Sequence, residues 1–173
     1  HGVEQAGPWD ASLWRELTSQ GAHAWTVPQA FGGEGASRST LLHRYARVAE
    51  GSMTAALVLT QHDAAVRRIV AAWELGNVQP AQRWLGPIAR AEVLATVGIS
   101  QLTTSRRLGP RALTARPSDG GGYSITGMIP WVTSAGRANI MVIGAVLENE
   151  DQILAVLPTQ RAGVNVAPPS LDT

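Results

Sequence analysis

His62 and Asp63 stand side by side, and that pair of residue types can make a general base and the carboxylate that orients it. Neighbours on a helix point in different directions, however, so the pairing is poor and a helix-surface or interface pair is the preferred reading. Phe31-Gly32-Gly33-Glu34-Gly35 could form a glycine-rich phosphate loop, since it precedes a helix whose N-terminus can attract an anion. Glu34 would repel a phosphate, which favours a structural turn. Thr103-Thr104-Ser105-Arg106-Arg107 is the richest polar cluster, with hydroxyls and guanidinium groups that could hold phosphates or lie solvated in a loop. Tyr123-Ser124-Ile125-Thr126 reads as a strand, and Trp131-Val132-Thr133 follows it. Taken alone, Trp131 is a core aromatic and Thr133 an ordinary strand residue. The remaining histidines, His1, His23 and His43, are scattered at spacings that suit no metal, and His43 and His62 read as hydrogen-bonded structural histidines.

These groups must be positioned by two unlike halves of the chain. Before residue 92 the apolar residues keep a helical period. Asp10 or Ser12 can cap a short helix that Gly21 ends. Ser37 or Ser39 can cap another through Glu50. A longer alanine-rich helix is expected from about Met53 to Trp73, and a short one from Pro80 to Leu85, with the proline in its first turn. After residue 92, "EVLATVGIS", "RALTAR", "YSIT", "ANIMVIGAVL", "QILAVLP" and "GVNV" are strand candidates. "PSDGGG" and "ENED" are turns between them, both suited to hairpins. Helices first and strands afterwards predict an α+β chain: an all-helical region over 1–91 and an antiparallel, barrel-like β region over 92–173. Nothing after the last strand caps the sheet, so the chain is expected to be incomplete at its C-terminus.

Composition narrows the chemistry. The chain has 173 residues, 45% hydrophobic and 16% charged, which suits a globular protein. A net charge of +1 gives no pull toward nucleic acid or an anionic membrane. All fourteen basic residues are arginine, which removes Schiff-base and general-base lysines. With no cysteine, disulfides, thiolate catalysis and cysteine-built metal centres are excluded. No apolar run is long enough for a membrane span, and the N-terminus has neither signal nor transit character, so a cytoplasmic location is expected.

Three segments occur in an order that resembles the acyl-CoA dehydrogenase family. "VPQAFGGEGAS" is similar to that family's P-x-x-x-G-G-x-G connection, and "RVAEGSMTAALVLTQH" to the helix after it. "GYSITGMIPWVTSAGRANIMVIGA" resembles its Y-x-I-x-G-x-K-x-W-I-T-x-A-x-x-A-D segment, which is the most specific of the three. The resemblance implies a helical N-terminal domain, a middle β domain and a C-terminal helical bundle, the last absent from this chain. It implies FAD, an acyl-CoA substrate oxidised to enoyl-CoA, an electron-transfer flavoprotein or other acceptor, and a homotetramer or hetero-oligomer in fatty acid metabolism. Trp131 and Val132 would then border the isoalloxazine ring, and Thr133 would offer its hydroxyl to the flavin N5 edge. Val97, Ile99 and Ser100 would line the cofactor from the first strand of the β region, and Arg106 would face substrate.

The same resemblance marks departures. The family's L-T-E-P-x-A-G-S-D loop falls on "ISQLTTSRR": Ser100 keeps a hydroxyl, a glycine is lost, and Arg106-Arg107 bring positive charge. The family's catalytic carboxylate belongs to the bundle, so no residue here is carried over as the base. Two rival readings therefore stand beside the dehydrogenase: a degenerate subunit that pairs with an active homologue, and a flavin-dependent monooxygenase, which needs no α-proton base.

Overall fold

A computed structural model describes residues 10–99, 102 and 111–167. Helix α1 (Ala11–Ser19) starts where Asp10 accepts the Ser12 and Leu13 amides at 2.9 and 3.0 Å. It ends before Gly21, whose φ of +75° is the left-handed conformation that glycine adopts without penalty. Ser37 caps α2 (Arg38–Gly51), accepting the Thr40 amide at 3.2 Å. Ser52 serves two helices. Its amide donates back to the Val48 carbonyl at 2.8 Å and closes α2, while its hydroxyl accepts the Ala55 amide and opens α3 (Met53–Glu74).

The stripe on α3 that contains Ala55, Val58, Leu59, Ala65, Val66 and Ile69 is buried, and its alanines let other elements approach closely. Helix α4 (Val78–Ala89) runs longer than the sequence suggested and passes over Pro87. Proline there removes one helical hydrogen bond, but Ala81, Leu85 and Ile88 have no exposed surface, and their burial holds the last turn.

The helices-then-strands order is as expected, but the sheet is mixed rather than purely antiparallel. Its five strands are β1 (Ala95–Gly98), β2 (Leu113–Pro117), β3 (Tyr123–Gly127), β4 (Ile140–Val146) and β5 (Gln152–Pro158). Strands β2 and β3 form one hairpin and β4 and β5 another, through the "PSDGGG" and "ENED" turns. Strand β4 pairs with β5 along one edge. Its other edge is shared: β1 runs parallel to Ile140–Ile143, and β2 meets it at Val146, also parallel. A parallel pair needs a long crossover, which the segment between β1 and β4 provides. "GVNV" is not a strand. Gly163 has a φ of +86° and the Val164 amide bonds back to the Arg161 carbonyl at 3.0 Å, so the chain turns there.

Every residue of β4 is buried because both faces of the sheet are covered. Ile140 and Val142, with Ala95 of β1, pack under α3 and α4. Met141, Ile143 and Ala145 face the other way and are covered by Ile129, Val132 and Ala135. The 129–135 segment thus lies on the sheet face opposite the helices. No helix among the described residues is long and apolar enough to cross a membrane.

Candidate functional site

Strand β1 has β4 on one side and no strand on its outer edge among the described residues. A cleft of about 300 Å³ opens at that edge, lined by Gln61 of α3, Val97 and Ile99 from β1 and its continuation, and Trp131 and Thr133. Alternation along β1 explains how the walls are divided. Val97 pairs with Val142 and shares the helix face, toward α3. Thr96 and Gly98 pair with Met141 and Ile143 and share the opposite face, beneath the 129–135 segment.

That segment lies flush on the strand. Thr96, 1% exposed, donates its hydroxyl to the Thr133 carbonyl at 2.7 Å. A Cβ added at Gly98 would stand 2.9 Å from Val132 Cγ2, so glycine makes the room that Val132 fills. Val132 is therefore turned into the sheet core and does not line the cleft. Ser134 then takes a φ of +59°, and its carbonyl accepts the Arg137 and Ala138 amides, both at 2.9 Å. This left-handed turn reverses the chain just after Thr133.

Four of the residues expected from sequence, Val97, Ile99, Trp131 and Thr133, meet at this cleft. Trp131 is not a core aromatic: 76% of it is exposed, although indole usually gains from burial. Ser100 and Arg106 lie outside the described residues, as does the rest of the Thr103–Arg107 cluster. Gln61 was missed. Its signal was a polar amide three residues after Val58 and four before Ala65, on the flank of an otherwise apolar helical stripe.

A hydroxyl, an amide, aliphatic surface and an exposed indole face suit a flat, mostly apolar ring with a polar edge. The volume sits at the lower end of small-molecule sites, roughly 300–1,000 Å³, room for a fused ring system. No acidic side chain is among the lining residues.

The other sequence candidates resolve into structure. His62 and Asp63 are fully buried, which corrects the helix-surface reading. The Ala95 amide donates to His62 Nδ1 at 3.1 Å, and Nε2 lies 2.9 Å from the His23 carbonyl. The tautomer with its proton on Nε2 satisfies both contacts. Asp63 turns elsewhere and accepts from Thr26 Oγ1 at 2.7 Å and from the Tyr45 hydroxyl. Burial pushes the Asp63 carboxyl up, opposed by these donors, and burial with Asp63 beside it pushes the Tyr45 hydroxyl up. The two neighbours are separate ties, His62 joining α3 to the sheet and Asp63 joining α3 to α2.

Phe31–Gly35 is a structural turn, with Gly32 at φ +86° and Gly35 at +64°. Glu34 forms a two-pronged pair with Arg44 at 2.6 and 2.8 Å, which holds its carboxyl below the usual range, and Arg44 lies 5.0 Å from the Trp25 ring centre. His43 is exposed, with Nδ1 2.8 Å from the Ser39 carbonyl. No group of three or more acidic or histidine side chains that could hold a metal occurs among the described residues.

The model of the acyl-CoA dehydrogenase N-terminal domain matches residues 2–92. Benzylmalonyl-CoA dehydrogenase of Aromatoleum aromaticum is 26% identical over 155 residues, covering 90% of this chain and 40% of that protein. Among solved structures, the FAD complex of PigA aligns with a TM-score of 0.75 at 18% identity, over 92% of this chain and 42% of that one. Dibenzothiophene monooxygenase (TdsC) from Paenibacillus sp. A11-2 aligns with a TM-score of 0.67 at 18% identity, over 88% and 37%. At such identities the structural matches establish the fold alone. The chain spans about two fifths of the length of these relatives.

Proposed function

The chain belongs to the acyl-CoA dehydrogenase family, and from that premise we propose that it forms one wall of the flavin and acyl pocket of an FAD-dependent oxidoreductase acting on an acyl-CoA thioester. The observation that carries this reading is the convergence of Val97, Ile99, Trp131 and Thr133 on one cleft, with the indole left exposed. In this reading residues 1–91 form the helical domain and 92–173 part of the β domain. The flavin, when bound, supplies the two-electron acceptor that oxidises the Cα–Cβ bond. The Trp131 face gives the ring a stacking surface and keeps water from that side. The Thr133 hydroxyl would offer a donor to the polar edge of the ring. Val97 and Ile99 supply the apolar floor, and Gln61 offers an amide from the helical side. Ser100 would add a hydroxyl toward the flavin and Arg106 a positive charge toward the acyl-CoA. An electron-transfer flavoprotein or similar acceptor would reoxidise the cofactor, in an oligomer located in the cytoplasm.

The same wall would serve a second reading, a flavin-dependent monooxygenase, which the TdsC structure that shares the fold supports.

The test is the visible absorption spectrum of the purified protein with and without added FAD. Bound flavin that is lost in Trp131→Ala and Thr133→Ala supports the pocket. A folded protein that ignores FAD, or variants that bind it as the parent does, overturns it. With flavin bound, enoyl-CoA formation with an artificial acceptor selects the dehydrogenase, and oxygen consumption with supplied reduced flavin selects the monooxygenase.

A further inference from the structure

We propose that Thr96 is a positioning residue for the site: its buried hydroxyl, with the space left at Gly98, docks the 131–133 segment onto β1 and so sets where Trp131 and Thr133 stand in the cleft. The inference rests on the pocket reading above for its functional meaning, but its geometry is independent of any ligand.

Thr96 does not line the cleft, and nothing in its sequence context marks it. Its neighbours on β1, Ala95 and Val97, face the helices, so Thr96 points to the opposite face. A buried hydroxyl there is costly unless it is paired, and its partner is the Thr133 carbonyl at 2.7 Å. That bond fixes the backbone of the residue whose hydroxyl serves the site. Two residues on, Gly98 meets Val132 at the adjoining position. The hydroxyl pulls the segment down, and the missing side chain lets it come down. Beyond it, the left-handed Ser134 turns the chain away, its carbonyl accepting the Arg137 and Ala138 amides. Trp131, with 76% of its surface exposed, has little packing of its own to hold it and depends on this backbone anchor.

The experiment measures hydrogen exchange of the flavin-free protein over residues 128–139, and FAD affinity by absorption. Thr96→Val keeps the shape and removes the bond. Loss of one buried hydrogen bond should speed exchange of the Ala135, Arg137 and Ala138 amides, which bond back to the Val132 and Ser134 carbonyls beside the anchor, about tenfold and weaken FAD by a similar factor. Exchange in β4 should stay unchanged. Thr96→Ser restores the hydroxyl and should return both readouts to the parent values. Gly98→Ala, pressing on Val132 from the strand, should loosen the same amides and serves as the second variant if Thr96→Val does not fold. Exchange in Thr96→Val equal to the parent, a rise spread equally through β4, or a Thr96→Ser protein as loose as Thr96→Val overturns the proposal. Parent protein that shows the exchange pattern but never binds FAD overturns the pocket reading and leaves the anchor standing.

Discussion

Replacing His62 with phenylalanine separates a structural histidine from a catalytic one. The phenyl ring is close to imidazole in shape, so the change leaves no large cavity. It removes both polar contacts of a side chain with 0% exposure. The Ala95 amide loses its acceptor at 3.1 Å, and the His23 carbonyl loses its donor at 2.9 Å. Each buried backbone group left without a partner costs about 1–3 kcal/mol, and the added apolar surface offsets a part, so a loss of about 2–5 kcal/mol is expected. A domain of ordinary stability has only about 5–15 kcal/mol to lose. Urea unfolding followed by circular dichroism reads this directly. With a slope of about 2 kcal/mol per molar urea, the midpoint should fall by about 1–2.5 M. His62→Gln can accept from the Ala95 amide and donate to the His23 carbonyl, so it should recover much of the loss. His43→Phe, at an exposed histidine with one local contact, should stay within about 0.5 kcal/mol. If His62→Phe unfolds at the same urea concentration as His43→Phe, the argument that His62 ties α3 to the sheet is wrong.

Other expectations follow from single positions. Trp131→Ala should leave the urea midpoint almost unchanged, because the ring is largely exposed, while FAD affinity falls about tenfold or more by absorption titration. Gly33→Ala should destabilise by several kcal/mol, in the range of exceptional substitutions, because the new Cβ would lie 2.1 Å from the Val27 carbonyl oxygen, a backbone atom that cannot swing aside. Thermal unfolding of that variant should show a large drop in Tm, and an unchanged Tm would contradict the packing of the turn. Burial, with His62 nearby, holds His23 below its usual value of 6.5 despite the Ala89 carbonyl 2.9 Å from Nε2. The folded protein therefore binds this proton less readily than the unfolded chain. The stability His23 contributes is present above about pH 6.5 and is lost as pH falls through its folded value, and His23→Gln should flatten stability between pH 7 and 5.

The sequence by itself determined the elements and their order. Two helix starts were legible because Asp10 and Ser37, each one of two caps the sequence offered, carry side chains that satisfy the first free amides of a helix. Hairpins were legible because their turns use glycine and polar residues at short range. The strand after the last hairpin was misread, since "GVNV" has the composition of a strand but its Val164 amide bonds back to the Arg161 carbonyl in a turn. Which way strands run was not legible either. The parallel pairing of β1 with β4 joins residues more than forty positions apart and depends on where the crossover lies. Burial of His62 and Asp63 followed from packing of α3 between α2 and the sheet, which a local helical pattern cannot show. The specific Trp-Val-Thr segment was visible as a motif, but its division of labour was not. Tertiary contacts alone decided that Val132 turns into the core, that Trp131 stays exposed, that Gln61 joins the cleft from another element, and that Thr96 anchors it. Caps and turns act within a few residues, so the chain carries their record locally. A cleft gathers side chains from elements far apart in sequence, and only the packing of those elements brings them together.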